Sequence, residues 1–204
     1  MGLESLSKNI IYSAYMNVLA EYITDKGINI LSKMWYDPHR FYHNINHLLS
    51  IIKAIEKNVW FKELQVKEKH ILLIAAFFHD AIYEVKRKDN EDQSIKLFKL
   101  CLKPNTPKEL VDSVIRLIET TKHRKRPIDK LERIFWDADN AGFIGSYYNF
   151  EKIDNLLKKE YSFLSKEQWT KGRIEFLESN LGLFGSVGDN NINKLLKKYK
   201  KDLK

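Results

Sequence analysis

Residues 71–83 read ILLIAAFFHDAIY: eight apolar side chains in unbroken succession, then the doublet His79-Asp80. With the preceding VKEKH, the stretch predicts a helix over about 66–83 that carries the doublet near its end. An imidazole and a carboxylate at the end of such a run are hard to explain as packing. Burial would leave two polar groups needing partners, and a bound cation satisfies both. Outward from the doublet, two further residues of the same chemistry stand beside helix-forming runs: His47 in YHNINH, ahead of LLSIIKAI, and Asp139 in WDADNAG. Imidazole plus carboxylate is a donor mix that first-row divalent metals accept without thiolates. The four lie far apart in sequence, so only the tertiary fold can gather them.

The chain has 204 residues, one domain's worth, with 44% hydrophobic and 12% aromatic content, which argues for a packed core and against disorder. Its single cysteine, Cys101, excludes an internal disulfide framework and a thiolate metal site and fits a reducing compartment. No stretch approaches the roughly 20 apolar residues of a membrane span. The opening MGLESLSKNIIYSAYM lacks the basic start and apolar run of a secretory signal, and its formal match to a myristoylation pattern reads instead as the start of a helix. A cytoplasmic protein is the expectation.

The net charge of +8 raises the question of nucleic acid. Most lysines alternate with acids and apolar residues, as in LFKLCLKPNTPKELVDS, which disfavours it. Two basic clusters stand out, TKHRKRP at 121–127 and KLLKKYKKDLK at the C-terminus. The second predicts a solvated, amphipathic basic helix over about 188–204. The first flanks His123 and suits a phosphate as well as a duplex.

Every periodic segment reads as helix. A first helix over about 4–24 is expected to stop at Asp25-Lys26-Gly27. MWYDPHRFYHN reads as a loop, and Asn44 or Asn46 as the cap of a helix over about 47–57. KRKDNEDQS is a polar connector in which Asn90 can cap the next helix; further helices are expected over about 107–121, 129–146, 147–163 and 166–180. The fold class is all-α, one domain spanning 1–204.

With these residues in hand, the chain resembles the HD-domain metal-dependent phosphohydrolases, whose ligand order is His, then His-Asp, then Asp, and among them a family of small predicted phosphohydrolases. That family's Y-x-E-P-x-R-x-Y-H-N-x-x-H has its counterpart in YDPHRFYHNINH, with Asp37 in place of the usual Glu. Its F-H-D-x-x-Y and N-E-x-x-S correspond to FHDAIY and NEDQS, its D-A-D with a nearby Gly to WDADNAGFIG, and its later E-Y and G-R pairs to KKEYSF and TKGRIEF. The resemblance covers about residues 35–184. It implies a single-domain HD-type helical bundle and one divalent ion held by His47, His79, Asp80 and Asp139.

Other roles follow from the same resemblance. His43, one helical turn before His47, is expected near the ligands or the substrate phosphate. An H-x-x-x-H zinc protease would want Glu at position 44, which is Asn. The Ala138-Asp139 step makes Asp139 the ligand and Asp137 a cap or a partner to a ligand histidine. Between doublet and last Asp the chain offers only His123, one histidine fewer than two-metal relatives use. His123 is then left for phosphate contact or proton transfer. Glu91 is a candidate water-orienting carboxylate or merely a helix-start acid; Arg173 could grip an anionic oxygen or be an ordinary ion-pairing residue.

The expected reaction is hydrolysis of a small, nucleotide-like phosphoester by metal-activated water. Asp80 would both ligate and accept the water's proton, while His43, His123 or Arg173 would serve the phosphate and leaving group. Mn, Fe, Co, Ni, Zn and Mg all suit the donors. The alternatives are a metal-bearing sensor domain without turnover and, less favoured, a nucleic-acid-binding protein.

Overall fold

The computed structural model describes residues 15–123 and 126–202, the side chain of His123 excepted. The described residues form helices joined by turns and loops, with no strand; an isolated bridge joins Ile23 to Leu102. In chain order the helices are α1 (residues 15–22), α2 (Asp25–Trp35), α3 (Ile45–Lys57), α4 (Val66–Phe78), α5 (Asn90–Cys101), α6 (Lys108–His123), α7 (Lys130–Asp139), α8 (Ala141–Ile144), α9 (Tyr147–Glu160), α10 (Lys166–Glu178) and α11 (Gly185–Asp202), with a 3-10 turn at Phe61–Glu63. No helix among them is long and apolar enough to cross a membrane.

The chain divides into two compact units. One comprises the described residues up to Asp37 and His43–Ala138; the other comprises Pro38–Tyr42 and the residues from Asp139 onward. In the first unit, α4 is the central element: every residue from Ile71 to Phe78 is buried, and the helix packs on α3, α5 and α6. A helix apolar on all sides must be wrapped by others, and Leu48, Ile51 and Ile55 of α3, Phe98 of α5, and Leu110, Val114 and Leu117 of α6 do the wrapping. In the second unit α8, α9 and α10 pack on α11, and Phe143 stacks on Phe184 at 4.1 Å.

Three differences from the expected elements have physical causes. Helix α4 stops at Phe78, five residues short of the expectation, because side chains take its last carbonyls. Trp35 Nε1 donates to Phe77 O at 2.9 Å, and His79 Nδ1 lies 2.9 Å from Ala76 O. With its terminal acceptors satisfied in this way, the helix has no need of another turn.

Helix α1 ends at residue 22, close to the expected stop, but Asp25-Lys26-Gly27 itself is the start of α2. Thr24 caps it by accepting from Gly27 N–H, and Asp25 sits favourably in the first turn. Gly27 is there for closeness of packing rather than for a turn: a β-carbon at this position would lie 2.6 Å from Cys101 Cβ and 2.9 Å from Ile23 Cγ2. We therefore expect Gly27→Ala to destabilise the protein by about 1–2 kcal/mol, overpacking outweighing the helix propensity gained. An unchanged or higher urea midpoint would contradict this.

The C-terminal helix is also less solvated than its lysines suggest. One face of α11 buries Ile192, Leu195, Leu196 and Tyr199, and only the other carries the basic residues.

Candidate metal centre

Helix α3 begins at Ile45, capped by the Asn44 side chain, which accepts from Asn46 N–H at 2.9 Å. His47 therefore falls in the first turn, where its ring is buried. His79 is the capping residue at the far end of α4, and Asp80 follows in the turn. The termini of two packed helices thus bring three candidate ligands together: one donor atom from each of His47, His79 and Asp80 lies within 4.8 Å of the others. Asp80 Oδ2 is 3.0 Å from His79 Nε2, 3.7 Å from His47 Nε2 and 4.0 Å from His43 Nε2.

The tautomer of His79 follows from its surroundings. A carbonyl oxygen carries no proton, so the contact between Nδ1 and Ala76 O places the proton of a neutral ring on Nδ1. The lone pair of Nε2 is then directed at the cluster. A backbone carbonyl behind a histidine is a common way of fixing a ligand's orientation. The ring is held further by Trp35 at 5.9 Å and edge-on by Phe135 at 5.8 Å. Burial works against ionisation of Asp80, but positive charge on the imidazoles, His79 above all, with His43 and His47, outweighs it and holds the carboxyl well below the usual range. A metal ion would take the place of that charge, leaving His79 neutral with its Nε2 lone pair as donor. An ionised carboxylate among buried imidazoles with an exposed lone pair is a donor set that fits a divalent ion.

His43 lies beside this cluster, its ring 5.6 Å from His47 and stacked on Tyr83 at 3.8 Å. The turn bearing Tyr83 is tied to α5 by two residues whose part the sequence reading missed. Ser94 Oγ accepts from Ile82 N–H at 3.0 Å and donates to Ile82 O; Asn90 accepts from Glu84 N–H and donates to Glu84 O, both at 3.0 Å. Asn90 is thus the first residue of α5 rather than its cap, which is Asp89.

The remaining candidates sit on α5, α6, α7 and α10. Asp139 closes α7 and is the first residue of the second unit. Asp137 accepts from Arg133 Nε at 2.9 Å, one helical turn back. Glu91 is in the first turn of α5, where its neighbour Asp92 accepts from Lys122 at 2.6 Å. The Asp92 hydrogen bond, with added attraction from Glu91 and Glu119, keeps the Lys122 amine above its ordinary value. His123 ends α6, its side chain outside the described residues, as is Arg124.

Arg173 belongs to a buried network of the second unit. Its Nε donates to Asp154 Oδ1 at 2.6 Å, Tyr199 donates to the other oxygen of Asp154 at 2.5 Å, and Trp169 Nε1 donates to Tyr199 Oη at 3.0 Å. Burial first, then the Asp154 carboxylate, pushes the Tyr199 hydroxyl upward, so it stays a protonated donor.

Compared with known proteins, the chain matches no family model and no curated sequence.

Proposed function

We propose that the protein is a metal-dependent phosphohydrolase of the HD type, acting on a small, nucleotide-like phosphoester. The observation that carries the proposal is the convergence of His47, His79 and Asp80, with His79 oriented from behind by a backbone carbonyl. Asp139 is proposed as the fourth ligand on the order of the motifs alone. The bound ion would supply Lewis acidity, lowering the pKa of a bound water and neutralising charge on phosphorus.

The chain's own residues then divide the work. Asp80 is ionised, which suits it to a ligand and weakens it as the acceptor of the water's proton; His43, whose Nε2 is 4.0 Å from Asp80, is the candidate to contact a phosphate oxygen or the leaving group. His123 and Glu91 remain candidates for phosphate contact and water orientation. Arg173 is spent on Asp154, so the structure favours its ion-pairing role over a grip on substrate.

The test is a panel of mononucleotides, cyclic nucleotides, dinucleotides and aryl phosphates, assayed after adding back single divalent metals. Chelator-sensitive hydrolysis of one class supports the proposal. Stoichiometric metal with no turnover on any class favours a non-catalytic metal-bearing domain.

Metal retention should also depend on pH in a defined direction. Imidazoles ligate only when neutral, and Asp80 is already ionised well below their range, so the histidines set the acid limit. Metal affinity is expected to fall as pH is lowered, because protons compete with the metal for the ligand imidazoles. A measured affinity that does not change with pH across the acid range would show that histidines are not ligands.

A further inference from the structure

We propose that Ser94 and Asn90 are positioning residues for His43, acting through the turn that follows the His-Asp doublet. Two observations meet here. The first is the completeness of the clamp: at Ile82 and again at Glu84, both backbone polar groups are taken by one side chain of α5. Ser94 does this with no exposure to solvent, and as residues four apart the two clamps lie on one face of the helix. The second is what the clamp holds. Tyr83 is the residue between the two anchored positions, and its ring is stacked on His43 with a 23° angle between the planes.

A two-point hydrogen bond on each side of Tyr83 fixes the turn in position and in rotation. The direction of Tyr83 is thereby set, and the stack passes that constraint to the His43 imidazole, whose Nε2 faces Asp80. Such a device is useful where it stands. The backbone hydrogen bonds of this turn, Ala81 N–H to Phe78 O at 3.2 Å and Arg87 N–H to Glu84 O at 2.9 Å, lie on either side of Ile82 and Tyr83. Without the clamp, the polar groups of Ile82 and the Glu84 N–H would therefore have to be met by water. A turn solvated in that way would let Tyr83, His43 and the neighbouring carboxylate sample several arrangements. Residues supporting the atoms around a metal affect affinity about 10–100-fold although they never touch it.

The effect on metal affinity rests on the metal-site reading above; the effect on His43 does not. The experiment separates them. In metal-free protein, the ring-proton NMR signals of His43 are expected to be displaced upfield by the face of Tyr83. They should be retained in Tyr83→Phe and Ser94→Thr, and should move towards the unstacked position in Tyr83→Ala and in Ser94→Ala. The double variant should move no further than Tyr83→Ala. In the metal arm, Ser94→Ala should weaken Mn2+ or Zn2+ binding about tenfold, and this loss should vanish when measured in the Tyr83→Ala background.

If Ser94→Ala does not fold, Asn90→Ala removes the other clamp from a partly exposed position and carries the same expectations. A folded Ser94→Ala protein with unmoved His43 signals overturns the proposal, as does a tenfold loss of affinity that persists without Tyr83. Absence of metal binding by the unaltered protein would overturn the metal-site reading instead, leaving the His43 signals to decide the clamp.

Discussion

Removing the imidazole of His79 is expected to lower metal affinity a hundredfold or more. Structural zinc sites in small peptides bind with apparent free energies of about 10–16 kcal/mol, or roughly 3 kcal/mol for each of four ligands, and each 1.4 kcal/mol is a factor of ten. His79 should lie at the upper end of that share. Its ring is 1% exposed, its tautomer is set by Ala76 O, and it is the imidazole nearest to Asp80. His79→Phe is the better variant than His79→Ala, because a ring retained between Trp35 and Phe135 avoids a cavity. Elemental analysis of the folded variant is the check; full metal content would remove His79 from the site. His47→Ala, Asp80→Ala and Asp139→Ala should follow it, with His43→Ala and Asp137→Ala losing less.

Arg173→Ala should cost about 3–5 kcal/mol of stability, the usual penalty for stranding a buried charge by deleting its partner. Asp154 is 2% exposed, and Arg173 and Tyr199 are the two groups that face its oxygens. Replacing both members of the pair by apolar residues of similar size should cost far less than Arg173→Ala alone, because no charge is then left unpaired. Urea denaturation distinguishes the two. Were Arg173 instead a substrate-binding group, its loss would reduce turnover while leaving the denaturation midpoint near that of the unaltered protein. The same network shows why cutting the chain before Tyr199 should weaken the second unit, however dispensable the lysines around it are.

The all-helical class was legible because apolar periodicity is a local signal. The helix expected over about 47–57, with Asn44 or Asn46 as its cap, follows from HNINHLLSIIKAI without tertiary knowledge and is found over Ile45–Lys57, capped by Asn44. Where local signals had a second meaning, the reading failed. Glycine after a periodic run is an ordinary stop, and nothing in the sequence tells that Gly27 is small because Cys101 presses on it. The run to Tyr83 gives no hint that Trp35 and His79 terminate α4 by taking its carbonyls.

The candidate site was legible in kind. His47 and the doublet stood out as polar residues attached to apolar runs, and the structure brings these three together. Its support was not legible. Asn90 read as a cap and Ser94 as a connector residue, because their partners at Glu84 and Ile82 lie across a turn whose path no periodicity describes. Tyr199 was hidden likewise, one aromatic within KLLKKYKKDLK, where charge dominates the pattern and the buried face shows only as the adjacent pair Leu195-Leu196.

The most direct test of the central claim is a reconstitution titration. Protein stripped with a chelator is given increasing amounts of one divalent metal, and bound metal and phosphoester hydrolysis are measured on the same samples. Hydrolysis rising in proportion to occupancy, saturating when the site is filled, and lost in the His79→Phe variant is the result predicted. Hydrolysis that persists in the stripped protein, or that is absent on every phosphoester class when the site is full, would contradict it.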